Sequence, residues 1–315
     1  ALLAGTATTF SLATPLLAGA ISTVTGIPQS TGLTLVILIV VCAIYTFSVY
    51  FGMKGVQLSA ATCTWLFFGL LAYVFFFGGQ TRFIIEEGIT ALGNLTQNFI
   101  GLATWTDSLR TSSFPQTWTI FYWAYWMVWC VAVPFFIGSI SKGRTLRQVI
   151  LGGYVFGLSG TFTSFIIMGN YGLGLQMHGK LDVLSTYAAD GNLYHAILDI
   201  LGQLPLSKAV LVLLVLSMIT FYSTSFDSIT MVASTYTYKE LKSDEEPHRN
   251  VKLFWAIFLI LLPLALIFSE NSMSNLQTVS IIAAFPVGII MLLIITSFFK
   301  DADAYLQEQA HNSKS

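Results

Sequence analysis

Aromatic side chains crowd one short stretch of the sequence, residues 118–129. The stretch holds four of the chain's seven tryptophans and seven aromatic residues in all: Trp118, Phe121, Tyr122, Trp123, Tyr125, Trp126 and Trp129. At about 100° per residue of helix, all of them except Trp123 fall within an arc of about 140°. A helix with this sequence presents one wall of π faces.

This aromatic face has two interpretations. One is an interfacial belt or ordinary packing, which explains Trp118 near the start of the helix. The other is a cage for a quaternary ammonium group, which has no N–H to donate and is held by aromatic faces at about 0.5–2 kcal/mol each. Trp126 and Trp129 lie roughly 15 Å past Pro115, near the middle of a bilayer, at 1.5 Å per residue. Their depth favours the cage.

A carboxylate, Asp227, lies well inside the apolar segment 205–236. A charge at the bilayer centre costs about 2.5–3.5 kcal/mol, so we expect Asp227 to face the interior of a helix bundle in a structural or coupling role. The hydroxyls of Thr224 and Ser225 offer hard oxygen ligands for a small cation such as Na⁺. The alternative is that these polar groups hold neighbouring helices together.

The elements that must position these residues are transmembrane helices. Of the 315 residues 55% are hydrophobic and 9% charged, whereas about 25% of a soluble domain is charged. Eight apolar segments approach the length of a spanning helix. They are, approximately, 1–24, 33–52, 59–79, 117–140, 147–170, 205–236, 252–270 and 276–299. The sequence predicts an all-α, polytopic transmembrane helical bundle.

Basic residues predict the orientation of the bundle. One set of loops, with Lys54, Arg144, Arg249 and Lys300 among its basic residues, is richer in lysine and arginine than the other. The positive-inside rule places that set, and the tail at 301–315, in the cytoplasm.

Residues 82–100 form a more polar segment between the third and fourth spans. Their alternation of apolar and polar residues predicts an amphipathic helix at the membrane interface. A helix packed on the protein outside the membrane is the alternative.

Composition and motifs exclude several function classes. A net charge of −1 argues against nucleic acid as a partner. The cysteines, Cys42, Cys63 and Cys130, lie in apolar runs without the spacing of a metal site or a disulfide framework. No Walker loop, HExxH or Ser/His/Asp set occurs, so nothing in the sequence predicts an enzyme. No cofactor is expected apart from Na⁺ as a coupling ion.

The stretch WTIFYWAYWMVWCVAVPFFIGSISKGRTLRQV resembles the signature of the betaine/choline/carnitine transporter (BCCT) family. GTATTFSLATPL, TSFDS at Thr224–Ser228 and KELKSDEEP are similar to further parts of the family's sequences. The resemblance implies a single transporter domain over 1–315 that contains helices 5–12 of twelve and lacks the N-terminal helices. It also implies a core of two inverted five-helix repeats and a homotrimer.

The resemblance further implies which residues contact the substrate. Trp126 and Trp129 match aromatics of the family's central site. Tyr125 stands where many members have tryptophan, and Tyr122 lies beside it on the same face. The substrate itself is not fixed, because the family's usual proline after the last tryptophan is displaced to Pro134.

The ion-binding residues are implied in the same way. Thr224 and Ser225 match the hydroxyl pair of a sodium site, and Thr6 is a candidate for a second ion site. Sodium-independent exchangers of the family have an arginine where this chain has Cys63, and that arginine can stand in for the ion. Its absence favours coupling to Na⁺ or H⁺.

The expected function is secondary active transport of a quaternary ammonium compound of the glycine betaine, choline or carnitine type. The protein would lie among the lipids of a bacterial-type cytoplasmic (inner) membrane. Two alternatives stay open: an exchanger without ion coupling, and a channel or sensor that binds the same cations.

Overall fold

The computed structural model describes residues 2–131, 133–239, 241, 245–268 and 273–312, and no strand occurs among them. The helices in chain order are α1 (Leu2–Thr25), α2 (Thr31–Tyr50), α3 (Met53–Phe77), α4 (Thr81–Thr104), α5 (Ile120–Trp129), α6 (Val133–Ile140), α7 (Leu146–Ser164), α8 (Asn170–Met177), α9 (Val183–Asp190), α10 (Leu193–Gly202), α11 (Ser207–Thr235), α12 (Arg249–Phe268) and α13 (Met273–Asn312). Single π-helical turns lead into α5 (Pro115–Thr119) and α8 (Phe165–Gly169). The all-α fold is confirmed.

Six helical stretches within the described residues are long and apolar enough to cross a membrane. They are Ala4–Thr25, Thr31–Tyr50, Lys54–Phe77, Leu146–Met177, Ser207–Thr235 and Ser280–Gln309. Each coincides with one of the eight predicted segments. A seventh segment, 252–270, forms α12, and its last two residues lie outside the described residues. The count of eight spans stays a prediction.

The segment 117–140 differs from the single helix that the sequence suggested. It is divided into α5 and α6, with a turn at Cys130 and Val131. Pro134 explains the division, because proline has no N–H for the carbonyl four residues earlier and is tolerated only in the first turn of a helix. That carbonyl belongs to Cys130. Next to it, the carbonyl of Val131 accepts a hydrogen bond from the Tyr236 hydroxyl over 3.0 Å. The break therefore comes directly after Trp129.

The outer surface of the bundle is apolar. Trp65 is 80% exposed and Phe156 is 79% exposed, and α7 buries none of its residues. In water, so much exposed apolar surface would be strongly unfavourable, whereas in hydrocarbon it costs nothing. This surface fits an integral membrane protein.

Helices α1 and α11 form the centre of the bundle. Phe10 on α1 packs against two rings of α11, with centroid distances of 5.0 Å to Tyr222 and 4.1 Å to Phe226. Tyr45 of α2 and Leu259 of α12 complete this core. A second core joins the other ends of α1 and α11 to α3, α8 and α10. These two helices carry Thr6, Thr224, Ser225 and Asp227, whereas the predicted substrate-binding aromatics lie on α5.

A tight turn at Gly52 connects α2 to α3. Its φ of 70° suits glycine, and a Cβ there would collide with the carboxylate of Glu246. Glu246 also lies 3.0 Å from Nζ of Lys252, which is buried. The α2–α3 turn and the α11–α12 loop thus lie at the same end of the bundle, as the predicted alternation of loops requires. That this end is cytoplasmic stays a prediction.

Helix α4 covers the predicted amphipathic segment 82–100 and leaves much of its apolar face uncovered. Ile89, Phe99 and Ile100 are exposed. The helix contacts α8 and the π-helical turn before it at Ile84 and Gly88. Its location at the membrane interface stays a prediction, as does the cytoplasmic location of the tail, where α13 continues to Asn312.

Candidate functional site

A cavity of about 400 Å³ lies between α1, α5, α6 and α11, within the range of small-molecule sites. Five of its lining residues are aromatic: Tyr125, Trp126, Trp129, Phe136 and Phe221. Three carry hydroxyls, and the others are aliphatic: Thr9, Ser225, Ser228, Val133, Ile229 and Val232. None of these lining residues is charged. The cavity is therefore a neutral, mainly aromatic space with a few hydroxyl groups.

Three rings of α5 form one wall of this cavity. Tyr125 meets Trp129 at a centroid distance of 6.0 Å and an interplanar angle of 82°, and it meets Trp126 at 6.5 Å and 71°. Rings at such angles form corners rather than stacks, so π faces are left free for a third group. A cation is attracted when it lies within about 6 Å of a ring centroid. This wall can therefore offer several faces to one cation.

The indole of Trp129 is placed by a glycine on α1. A Cβ at Gly5 would lie 2.8 Å from Cζ2 of Trp129, closer than side-chain atoms normally approach. Trp129 also packs against the core that joins α1, α2, α11 and α12. Trp126, in contrast, is 64% exposed within this chain. Trp129 is the ring whose position the fold determines most tightly.

A hydrogen bond ties Tyr125 to α1. The hydroxyl of Tyr125 lies 2.6 Å from Oγ1 of Thr9. Thr9 already donates its own proton to the carbonyl of Gly5 over 2.9 Å, so Tyr125 is the donor. The oxygen of Tyr125 keeps its capacity to accept a hydrogen bond. Tyr125 thus places a polar atom at the edge of the cavity.

Four of the residues predicted from the sequence do not line the cavity: Tyr122, Thr6, Thr224 and Asp227. Tyr122 is half-exposed one turn earlier on α5, and its ring lies 6.2 Å from that of Trp118 and 5.5 Å from that of Phe121. Thr6 is fully buried in α1. Their predicted roles in substrate and ion binding stay predictions.

The predicted ion-binding pair is divided between two environments. Ser225 lines the aromatic cavity. Thr224 donates to the carbonyl of Thr220 over 2.9 Å, and its Oγ1 lies 3.4 Å from that of Ser59 on α3. The thiol of Cys63 on α3 also lies within hydrogen-bonding reach of Thr224. Cys63 is therefore adjacent to Thr224.

Asp227 is fully buried, which confirms that it faces the interior of the bundle. Its Oδ2 accepts a hydrogen bond from Ser48 of α2 over 2.7 Å. Asp227 and Ser225 are two residues apart, which corresponds to a rotation of about 200° around the helix axis. They therefore project from nearly opposite faces of α11. The carboxylate is separated from the aromatic cavity by the helix itself.

Several residues of the site were not foreseen from the sequence. Thr9, Phe136 and Phe221 line the cavity, and Gly5 makes room for Trp129. Each comes from a helix other than α5, and only the packing of that helix on α5 brings it into place. Phe136 follows the break in the segment 117–140. A continuous helix, as expected from the sequence, would have placed Phe136 elsewhere.

The loop before α5 is organised around Asp107. This buried carboxylate accepts hydrogen bonds from the backbone N–H groups of Thr111, Ser112 and Ser113 at 2.8–3.1 Å, and from the hydroxyls of Thr111 and Ser112. These bonds, above all that from the N–H of Ser112, hold the pKa of Asp107 well below its ordinary value. Asp107, Arg110 and Ser113 all have positive φ. The loop is thereby held in a strained shape that fixes where the aromatic helix begins.

Comparison with known proteins identifies the family. The profile of the BCCT, betaine/carnitine/choline family transporter matches residues 1–307. The chain belongs to this family. The membership confirms the resemblance seen in the sequence, and the family is one of transporters.

Curated relatives carry names that agree with this family. The chain is 30% identical over 275 residues to a carnitine transporter of Acinetobacter baumannii, which is 87% of this chain and 50% of that protein. It is 29% identical over 299 residues to a probable glycine betaine transporter of Desulfitobacterium hafniense, 94% of this chain and 58% of that protein. An uncharacterized transporter of Escherichia coli is 27% identical over 281 residues, 89% of this chain and 58% of that protein. The chain thus spans only 50–58% of the length of these relatives.

Proposed function

We propose that the protein is a secondary active transporter of quaternary ammonium compounds and that the aromatic cavity is its substrate site. The observation that carries this proposal is the convergence of Tyr125, Trp126 and Trp129 on one cavity without a charged lining residue. A trimethylammonium group has no N–H, so hydrogen-bond acceptors cannot recognise it. Aromatic faces attract it at about 0.5–2 kcal/mol each when the site is dry.

The hydroxyl groups of the cavity can form hydrogen bonds with the polar tail of such a substrate. Thr9, Ser225 and Ser228 lie on α1 and α11, across from the wall that α5 forms. Glycine betaine, choline and carnitine share the cationic head and differ in a tail of carboxylate or hydroxyl groups. The Ser225 hydroxyl can donate to either kind of tail, and Ser228, whose proton is engaged within α11, can accept from a hydroxyl. The named activities of the relatives, carnitine and glycine betaine transport, support this substrate class.

We further propose that transport is coupled to Na⁺ or H⁺, with Thr224 and Ser225 as ion-binding residues. The proximity of Cys63 to Thr224 supports this assignment. An arginine at that position would put a fixed positive charge where an ion would otherwise bind, and this chain has a neutral thiol there. Thr6 is proposed as part of a second ion site.

The setting that we propose for this activity is a bacterial cytoplasmic membrane, with the C-terminus in the cytoplasm and three copies of the protein in a homotrimer. The apolar outer surface supports the membrane location. The concentration of lysine and arginine in one set of loops supports the orientation.

Counterflow in proteoliposomes tests the proposed function. Vesicles preloaded with unlabelled glycine betaine, choline or carnitine are diluted into the labelled compound, with and without a Na⁺ gradient. A transporter shows saturable uptake that internal substrate stimulates, whereas a channel shows neither saturation nor stimulation. A sensor without transport shows binding but no uptake, and an exchanger shows stimulation that no ion gradient alters. Absence of saturable uptake for all three compounds would contradict the proposal.

A further inference from the structure

One face of α11 carries four buried polar side chains, Ser223, Asp227, Thr230 and Ser234. The exposed fraction is 1% for Ser223 and 0% for the other three. Spacings of four, three and four residues put all four within an arc of about 60° at 100° per residue. We call this set the α11 polar face. It extends over about 16 Å of helix, at 1.5 Å per residue.

Each member of the α11 polar face has a buried oxygen without a hydrogen-bond partner among the described residues. These atoms are Oγ of Ser223, Oδ1 of Asp227, Oγ1 of Thr230 and Oγ of Ser234. Leaving such an atom unsatisfied costs about 1–3 kcal/mol, and more for a charged group. Buried polar atoms in native proteins are almost always satisfied, if necessary by water or an ion. Four unsatisfied oxygens in one row therefore indicate an occupant.

Other hydroxyls of the same helix behave differently. Thr220, Thr224, Ser228 and Thr235 each donate to the carbonyl four residues earlier at 2.9–3.0 Å. This is the usual way in which serine and threonine satisfy themselves inside an apolar helix. The hydroxyls of the α11 polar face do not close on their own helix in this way. They remain available to a ligand between α11 and its neighbours.

The α11 polar face is distinct from the aromatic cavity. Ser225 and Ser228, which line the cavity, lie about 160° and 100° from Asp227 around the helix. The neighbour of Asp227 is Ser48, near the C-terminal end of α2, whose hydroxyl donates to Oδ2. The carboxylate therefore has one oxygen satisfied by a neighbouring helix and one that meets no hydrogen-bonding group in the part of the chain that the structure describes.

We propose that the α11 polar face binds a Na⁺ ion, with Oδ1 of Asp227 as its charged ligand and the hydroxyl of Thr230 as a second ligand. Carboxylate and hydroxyl oxygens are hard donors of the kind that small, hard cations prefer. The ion neutralises a carboxylate that otherwise lies buried with a single hydrogen bond, which is a costly state. Ser223 and Ser234, one turn to either side, mark the way in and out along the helix. This site is separate from the proposed pair Thr224 and Ser225 and does not depend on the aromatic cavity.

Binding of ²²Na⁺ to the purified protein in lipid nanodiscs tests the site. The affinity and the number of ions bound per protein are measured by a scintillation proximity assay, with unlabelled NaCl and KCl as competitors. The variants are Asp227→Asn, which removes the charge at constant shape, and Thr230→Val, which removes one hydroxyl at nearly constant volume. Thr235→Val is the matched control, because its hydroxyl is already satisfied within α11.

We expect Asp227→Asn to lower the Na⁺ affinity of one site at least tenfold or to remove that ion from the stoichiometry. Thr230→Val should weaken it several-fold, and Thr235→Val should leave it unchanged. Wild-type affinity and stoichiometry in both Asp227→Asn and Thr230→Val would overturn the proposal, and so would a wild-type protein that binds no Na⁺. Because two variants are used, a folding defect in one of them does not remove the test.

The same samples separate this proposal from the proposed function. Trp126→Ala changes the aromatic cavity and leaves the α11 polar face intact, so ²²Na⁺ stoichiometry should stay at the wild-type value in that variant. If Trp126→Ala has no effect on binding of labelled glycine betaine, choline or carnitine while Asp227→Asn still abolishes binding of one ion, the substrate proposal fails and the ion site stands. If Trp126→Ala weakens substrate binding while Asp227→Asn binds Na⁺ with wild-type affinity and stoichiometry, the ion site fails and the substrate proposal stands.

Discussion

The Tyr125 hydroxyl donates to Oγ1 of Thr9 across 2.6 Å and so ties the aromatic helix α5 to α1. Helix α1 in turn packs on α11 through Phe10. The three helices that line most of the cavity are therefore linked through α1. A change in the position of α1 would move the aromatic wall relative to the hydroxyls of α11.

This link predicts a measurable coupling between Tyr125 and Thr9. Tyr125→Phe and Thr9→Val each remove one partner and keep the shape of the side chain. A neutral hydrogen bond contributes about 0.5–1.5 kcal/mol, so each variant should lower the apparent affinity for substrate by about 2- to 13-fold. The double variant should be little worse than either single one, as a double-mutant cycle of uptake KM values will show. Strictly additive effects would mean that the two hydroxyls act independently.

Gly5 predicts a steric effect on Trp129. In Gly5→Ala the new Cβ would lie 2.8 Å from the indole, so the ring must move and the substrate affinity should fall. Gly157→Ala on α7 is the matched control, because nothing lies within 4 Å of the added methyl group. Substrate titrations of intrinsic tryptophan fluorescence compare the two variants. Equal affinity in Gly5→Ala and wild type would show that the position of Trp129 is not critical.

The two proposed ion-binding residues predict how uptake would respond when their hydroxyls are removed. Thr224→Ala combined with Ser225→Ala should flatten the response of uptake to Na⁺ and to pH, because the hydroxyl ligands are removed. Thr62→Val is the control, since Thr62 is exposed on α3 and its hydroxyl donates within its own helix. Initial rates of uptake are measured across a series of Na⁺ concentrations and pH values. An unaltered response in the double variant would exclude these residues as ion ligands.

The loop around Asp107 predicts sensitivity to acid. Hydrogen bonds in the folded protein, chiefly from the N–H of Ser112, lower the pKa of Asp107 below its ordinary value of 3.8. The resulting stabilisation is fully present above that value and is lost as the pH falls below it toward the lowered pKa. Limited proteolysis between pH 6 and pH 2, with proteases active at each pH, should show the loop at residues 105–114 becoming progressively easier to cleave below pH 4.

The variant Asp107→Asn tests the same loop at neutral pH. Asparagine keeps one acceptor oxygen but not the charge, so the loop should be cleaved at pH 6 much as the wild type is at low pH. Equal protection of wild type and Asp107→Asn over the whole range would contradict the role of the carboxylate.

Much of the fold follows from local sequence properties. The lengths of the apolar segments and the glycine and proline residues between them predicted the spanning helices. Helical periodicity and the expected depth in the bilayer indicated Trp126 and Trp129. These features depend on one helix at a time, so one sequence is enough to predict them.

The parts that the sequence could not predict depend on how helices pack. Thr9 and Gly5 contact Tyr125 and Trp129 only because α1 crosses α5 at that level. The separation of Ser225 from Asp227 follows from helical periodicity alone, but what each of them faces depends on α2 and α5. Pro134 was visible in the sequence, but the hydrogen bond from the Tyr236 hydroxyl to the Val131 carbonyl at the break depends on how the helices pack.

Binding of a quaternary ammonium compound to Trp126→Ala and Trp129→Ala tests the central claim most directly. Each variant removes one aromatic face of the cavity, while Trp123→Ala removes an exposed ring of the same helix that does not line it. Equilibrium binding of labelled glycine betaine, choline and carnitine is measured for all three variants in nanodiscs. We expect Trp126→Ala and Trp129→Ala to weaken binding of the recognised compound by about 2- to 30-fold each, and Trp123→Ala to bind as the wild type does. Wild-type affinity in both cavity variants would contradict the assignment of the aromatic cavity as the substrate site.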